Sequence, residues 1–306
     1  MVPLLPRQRR PFAHTCDDFL GDPRVITMPR TLWLPILNLM ILPKRPAASA
    51  AKYRQIWSKE HGSLLAYYTE RQAGQLQKQL PDYMVTYAYS YSKPFITEAL
   101  TRMEKAGVQK LTIIPLYPQY STTTIGSVMD DVNRFYYRRA RVPELRITSG
   151  FAQRSDYLDL LARNIQTELD QDEYDLVLMS FHGILVSYVQ NGDPYPQQCQ
   201  ATTEGIKKRL HTDVPVMQTY QSKFGPAEWL KPATADVVKK LPQKGIKRVL
   251  VVSLAFVADC LETLHELDIE NRTYFMENGG QTFKVVRCFN DDPAFTVVFK
   301  NIVLDK

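Results

Sequence analysis

The sequence predicts an α/β protein built on doubly wound parallel sheets. Short apolar runs rich in β-branched residues alternate with longer amphipathic stretches along the chain. Several of the runs are apolar at nearly every position, as parallel strands covered on both faces require. The chain has 306 residues, 44% hydrophobic and 23% charged. That is too apolar for a disordered chain and too polar for a membrane bundle.

The strand candidates, in order, are residues 84–88, 111–116, 145–148, 176–181, 214–219, 249–254 and 283–286. Amphipathic stretches near 64–80, 95–106, 122–139, 155–171, 195–210, 229–241 and 260–278 separate or flank them. Strand–helix alternation of this kind indicates crossover connections and a parallel sheet. The length favours two similar domains, 1–160 and 161–306, with the last helix packing back on the first. In such sheets the ligand sits outside the carboxyl ends of the strands. That rule selects residues 90–94, 117–124, 182–184 and 255–266 as the places to look for function.

Several function classes drop out. The formal charge is +6, but Lys and Arg are scattered among acids with no long basic run, which disfavours nucleic acid. An anionic small molecule or an acidic membrane surface suits the same charge. The four cysteines, Cys16, Cys199, Cys260 and Cys288, form no CxxC pair and read as free thiols of a reducing cytoplasm. The N-terminus is rich in Pro and Arg rather than apolar, so no secretory signal is read there. The longest apolar stretch, residues 32–42 from Leu32 to Leu42, is too short to span a bilayer and holds Pro35 and Asn38. Dinucleotide, P-loop and nucleophile-elbow motifs are absent.

Two constellations could carry chemistry. His182 follows the apolar run 176–181 and precedes Gly183, which would allow a ligand close approach. Imidazole accepts a proton near neutral pH and binds metal when neutral; a hydrogen-bonded strand-end histidine is an equal alternative. Asp259, Glu262 and Glu266 stand at helical spacing on one face and could pass protons or a hard cation along it. The competing reading is a capping box, with Asp259 at the N-cap and Glu262 at N3. Tyr117 and Tyr120 could line a flat aromatic ligand, while the hydroxyls of 121–124 could cap a helix. Gln221, Ser222 and Lys223 with Trp229 combine donors, a cation and an aromatic wall, which a porphyrin with propionates would need.

Together these segments resemble the ferrochelatase family. The stretches that carry the resemblance are Leu116-Tyr117-Pro118-Gln119-Tyr120-Ser121, Ser180-Phe181-His182-Gly183-Ile184, Gly192-Asp193-Pro194-Tyr195-Pro196-Gln197, Gln221-Ser222-Lys223-Phe224-Gly225-Pro226 with Trp229, and residues 258–270. The resemblance implies two similar chelatase-type domains with the active site in the cleft between them. It implies insertion of Fe²⁺ into protoporphyrin IX, the last step of haem synthesis, with residues 192–197 leaning toward that substrate over coproporphyrin III. It implies His182 and Glu262 as catalytic residues, and His182, Glu262, Asp259 and Glu266 along the metal's path. Arg45, Tyr53, Ser63, Tyr91, Tyr117, Gln221, Ser222, Lys223 and Trp229 match its porphyrin contacts. Residues 32–42 match its hydrophobic lip, a surface for transient membrane contact. Iron and porphyrin would be substrates, with no permanently bound cofactor. Some relatives hold an iron–sulfur cluster mainly through C-terminal cysteines; residues 298–306 contain none, so no cluster is expected.

The chain departs from the family at Leu185, where proline is usual, at Leu64 after Gly62-Ser63, and most of all at residues 1–10. There the family has an apolar strand and a glycine-containing loop. Here two prolines and three arginines stand. Proline removes a ladder donor and buried arginine is costly, so this segment is not expected to serve as the first strand. A catalytically impaired porphyrin- or haem-binding homologue is the alternative that this departure raises.

Overall fold

The computed structural model describes residues 17–43 and 45–305; residues 1–10 lie outside them. In chain order the elements are α1 (Arg30–Ile36) running into the π-helix π1 (Leu37–Ile41), α2 (Arg45–Ile56), α3 (Leu64–Gln79), α4 (Ile96–Lys105), β1 (Lys110–Ile113), α5 (Ile125–Tyr136) and β2 (Glu144–Ile147). There follow α6 (Ser155–Leu169), β3 (Leu176–His182), α7 (Val186–Gln190), α8 (Tyr195–Lys207), β4 (Val216–Gln221), α9 (Thr234–Val238) and a 3₁₀ turn (Pro242–Lys244). The chain then forms β5 (Arg248–Ser253), a second π-helix π2 (Leu261–Asn271), α10 (Arg272–Glu277), β6 (Thr282–Val286) and α11 (Pro293–Val303).

The chain divides into two compact units. The first holds the described residues up to Pro115, Ser121–Ser149 and those from Asp291 on; the second holds Leu116–Tyr120 and Gly150–Asn290. A boundary at residue 160 would cut α6, whose buried residues Leu158, Leu161 and Ile165 belong to the second unit throughout.

In the first unit β1 and β2 pair in parallel, Lys110 opposite Glu144 and Ile113 opposite Ile147. Leu100 and Met103 of α4 and Val128 and Val132 of α5 bury Leu111 between them. The last helix packs on α3, with Gln79 Nε2 donating to Thr296 Oγ1 at 2.7 Å and Gln75 Nε2 to Asp291 O at 2.8 Å. Residues 84–88, expected as a strand, form no ladder. Their β-branched and aromatic content suits a strand, but no described strand lies beside them to take their amides. Val85 N donates instead to Gln77 Oε1 at 3.0 Å.

In the second unit four parallel strands run in the order β4-β3-β5-β6. The first of them in sequence, β3, is interior and pairs on both edges. Leu176, Leu178, Val249, Val251, Phe283 and Val285 form one face of this sheet and pack on Val238, Leu267 and Phe275. Residues between them in sequence, such as Val177 and Leu250, turn to the other face, because strand side chains alternate. Buried on both faces, these strands are the near-continuous apolar runs of the sequence. Among the described residues no helix is long and apolar enough to cross a membrane.

Candidate functional site

The carboxyl ends of β3, β4 and β5 bring most of the expected second-unit residues together. His182 ends β3 directly opposite Gln221, the last residue of β4. Gly183 follows, and its N–H donates to Gln221 O at 2.8 Å. A Cβ on Gly183 would lie 2.9 Å from that oxygen and 3.3 Å from Trp229 Cε3. Glycine is therefore what lets β3 and β4 close behind the histidine. His182 Nδ1 lies 2.7 Å from Gly183 O. With the proton on Nδ1, the Nε2 lone pair is free to accept a proton or bind a metal. Phe256, after β5, meets the imidazole edge to face at 6.1 Å.

Gln221 and Ser222 organise the next layer. Gln221 accepts from Ser180 Oγ at 2.9 Å and donates to Glu262 O at 3.0 Å, tying both strands to π2. The chain then turns through Ser222 at φ 66°. This unusual conformation aims both its N–H and its hydroxyl at Glu266, at 2.5 and 2.6 Å.

The acidic segment differs from the helix expected of it in three ways. It is a π-helix with i→i+5 hydrogen bonding, a form that concentrates at functional sites. Its cap is Cys260, not Asp259: Cys260 N donates to Thr263 Oγ1 at 3.0 Å. Thr263 thus takes the N3 role read for Glu262. Asp259 lies outside the helix and is committed to structure. It accepts from Thr263 Oγ1 at 3.0 Å and from Asn290 Nδ2 at 2.8 Å, and its N–H donates to Asn290 Oδ1 at 2.8 Å. Glu262 is thereby released from capping, and its Oε2 is buried with no hydrogen-bond partner.

The charges of this cluster act on one another. Burial raises the Glu266 carboxyl above its ordinary range; the Ser222 hydrogen bonds and His182 oppose that shift, and Glu262 adds to it. Tyr117 is pushed up to about 12 by burial and by the Glu262 charge. Burial, then Glu262, drives the Cys260 thiol well up. Among the described residues no three His, Cys, Asp or Glu side chains converge into a metal-holding group. His182, Glu262, Asp259 and Glu266 therefore form no ready-made cage. The arrangement is a loose cluster of an imidazole and two carboxylates around Gln221 and Ser222, chemically able to pass a cation or protons onward.

The remaining expected residues sit elsewhere. Trp229 is buried and donates through Nε1 to Phe224 O at 2.8 Å, while Lys223 is exposed. Tyr91, in the first unit, is buried, with its hydroxyl 2.7 Å from Asp22 Oδ2 and 3.0 Å from Ser127 Oγ. These bonds occupy the phenol within its own unit rather than presenting it to a ligand. Ser63 caps α3, accepting from Ala66 N at 3.4 Å. Arg45 and Tyr53 lie half-buried on α2. Thr263, Asn290 and Phe256 were not singled out in the sequence. The spacing Cys260-x-x-Thr263 could have signalled the cap; no local signal connects Asn290 to Asp259.

The family profile described as Ferrochelatase matches residues 6–306. The chain belongs to the ferrochelatase family. The coproporphyrin III ferrochelatase of Enterococcus faecalis is 45% identical over 285 residues, 93% of this chain and 90% of that protein. The ferrochelatase of Photobacterium profundum is 41% identical over 290 residues, 94% of this chain and 89% of that protein. Among solved structures, SirB from Bacillus subtilis with Fe³⁺ is similar at a TM-score of 0.57 and 13% identity, over 80% of this chain and 92% of that one. That likeness bears on the fold, which is of the chelatase type. Membership of the ferrochelatase family implies a porphyrin and iron as substrates.

Proposed function

We propose that this chain inserts Fe²⁺ into coproporphyrin III. The observation that carries the chemistry is the half-buried Glu262 side chain beside Glu266, released from helix capping by Thr263 and with its Oε2 buried and without a hydrogen-bond partner. A carboxylate oxygen left without a hydrogen-bond partner suits a hard cation. Metal insertion replaces two pyrrole N–H protons by one Fe²⁺, so two protons must leave the macrocycle. In this reading His182 Nε2 accepts a proton, Glu262 meets the metal, and Glu266, held by Ser222, relays a proton or the cation outward. Asp259, paired with Asn290 and Thr263, supports π2 and takes no metal.

Coproporphyrin III, rather than protoporphyrin IX, is supported by the substrate for which the Enterococcus faecalis relative is named. The segment 192–197 carries little weight in this choice. Asp193 and Tyr195 are buried, and Asp193 Oδ1 accepts from Tyr195 N at 3.0 Å, so the segment starts α8. Anaerobic incubation with Fe²⁺ and each porphyrin tests the choice. We expect kcat/KM at least tenfold higher for coproporphyrin III; the reverse preference refutes it.

No iron–sulfur cluster belongs to this reading. Cys199, Cys260 and Cys288 are free, and burial drives all three thiols well up, which disfavours the thiolate a cluster needs. A cluster absorption band after anaerobic purification would contradict this. Leu32, Leu39 and Met40 are 62, 77 and 68% exposed, and in this reading they rest on a membrane surface. Vesicle co-sedimentation unchanged by Leu39→Ser with Met40→Ser would refute that contact.

A further inference from the structure

The sheet of the second unit turns polar at one level on three strands at once. On the face that packs against Val238, Leu267 and Phe275, β3 carries Leu176, Leu178, Ser180 and His182 at alternate positions, and β5 carries Val249, Val251 and Ser253. On β4 the same face carries Met217, Thr219 and Gln221, since Met217 stands opposite Leu178. The register sets Ser180 opposite both Thr219 and Ser253, and His182 opposite Gln221. A row of three hydroxyls therefore lies one step below the row that holds His182 and Gln221. Thr234, the first residue of α9, brings a fourth hydroxyl onto this row.

The row is sealed from water. Ser180, Thr219 and Thr234 are each 0% exposed and Gln221 is 2% exposed. A hydroxyl buried there costs free energy unless it is bonded. Thr219 Oγ1 lies 2.9 Å from Thr234 Oγ1, which lies 3.0 Å from Ser180 Oγ. Ser180 Oγ in turn donates to Gln221 Oε1 at 2.9 Å. Ser253 Oγ is buried and, among the described residues, without a partner, so bonding follows side-chain placement and not the row alone.

The serine fixes which way the Gln221 amide points. Gln221 Nε2 donates to Glu262 O at 3.0 Å and to Glu266 Oε2 at 3.4 Å. A backbone carbonyl only accepts, so the amide nitrogen must face π2 and Oε1 must face the sheet. There Oε1 needs a donor, because a buried carbonyl oxygen left without one carries its full desolvation penalty. Ser180 is that donor. An apolar residue in its place leaves the amide free to turn away from π2 in search of another.

We propose that Ser180 is a positioning residue for iron insertion: its buried hydroxyl holds the Gln221 amide in the sense that ties β4 to Glu262 and Glu266. Ser180 is wholly buried and acts only through Gln221. Thr219 and Thr234 complete the row, and among the described residues neither bonds to Gln221. The inference rests on the reading in which Glu262 and Glu266 serve the metal and its protons.

The test compares folded variants of the full chain in anaerobic insertion of Fe²⁺ into coproporphyrin III. Ser180→Ala should lower kcat about tenfold or more, as small misplacements of reacting groups do. KM for the porphyrin should stay within about twofold of wild type, since no binding contact is removed. Thr234→Val removes an equally buried hydroxyl that does not touch Gln221, and should keep kcat within about twofold. Ser180→Cys, similar in size and a weaker donor, takes the place of Ser180→Ala if that variant does not fold, and should lose kcat in the same direction. In a Gln221→Met background Ser180→Ala should lower kcat no further, because the two residues act as a unit. Glu262→Gln is measured beside them. If it keeps turnover, the reading of Glu262 fails and this inference with it. If it is inactive while Ser180→Ala keeps kcat within about twofold, the inference alone is overturned. A higher KM with unchanged kcat, equal losses in Ser180→Ala and Thr234→Val, or additive losses in the double variant would overturn it as well.

Discussion

Glu262 and Thr263 are neighbours whose roles the structure separates, and paired substitutions read that separation directly. Thr263 is 1% exposed, accepts from Cys260 N and donates to Asp259 Oδ1. Thr263→Ala removes both bonds and leaves a buried amide and a carboxylate oxygen short of partners, which costs about 1–3 kcal/mol. In a unit of this size each kcal/mol lowers the melting temperature by about 2–4 °C, so a fall of about 2–12 °C is expected. Glu262→Gln breaks no capping bond, so its melting temperature should stay close to wild type. Its activity should fall about 100-fold or more, the range that a positioned proton-transfer group or metal ligand supplies. Thr263→Ala, once folded, should keep most of its turnover. Thermal melting and anaerobic iron insertion, run on both variants, decide the matter. If Glu262→Gln melts lower than Thr263→Ala, or retains turnover within about twofold of wild type, Glu262 belongs to the helix and not to the chemistry.

His182→Ala should abolish iron insertion while the circular dichroism spectrum and melting temperature stay close to wild type, since the hydrogen bond described for the ring is with the adjacent Gly183 O; near-normal turnover would remove His182 from the mechanism. Gly183→Ala places a methyl 2.9 Å from Gln221 O and should cost about 1–3 kcal/mol of stability through overpacking, measured by denaturant unfolding. Glu266 titrates in the folded state above its ordinary 4.5, so the native chain binds the extra proton between the two values. Its stability contribution is complete below about 4.5 and declines as pH rises through the raised value. Glu266→Gln cannot ionise and should flatten that part of the stability–pH curve; an unchanged slope would show that another group titrates there.

The class of fold is written in the apolar runs of the chain, and with it the strand ends at which chemistry is to be sought. Residues 176–181 and 249–254 are apolar at almost every position because both faces of their sheet are covered, and that periodicity survives without any knowledge of partners. The same topology directs attention to the strand carboxyl ends, which is why His182, Gln221 and Glu262 are legible as candidates in the sequence. The tertiary structure decided which of two adjacent polar residues serves the backbone and which is left for a ligand. Glu262 and Thr263 can each accept a backbone N–H, and only the path of the chain into π2, with Asn290 arriving 31 residues later at Asp259, assigns the bond to Thr263. It decided as well that residues 84–88, strand-like in composition, make no ladder. A strand's stability lies in its neighbours' amides rather than in its own side chains, and no local pattern records whether those neighbours are present.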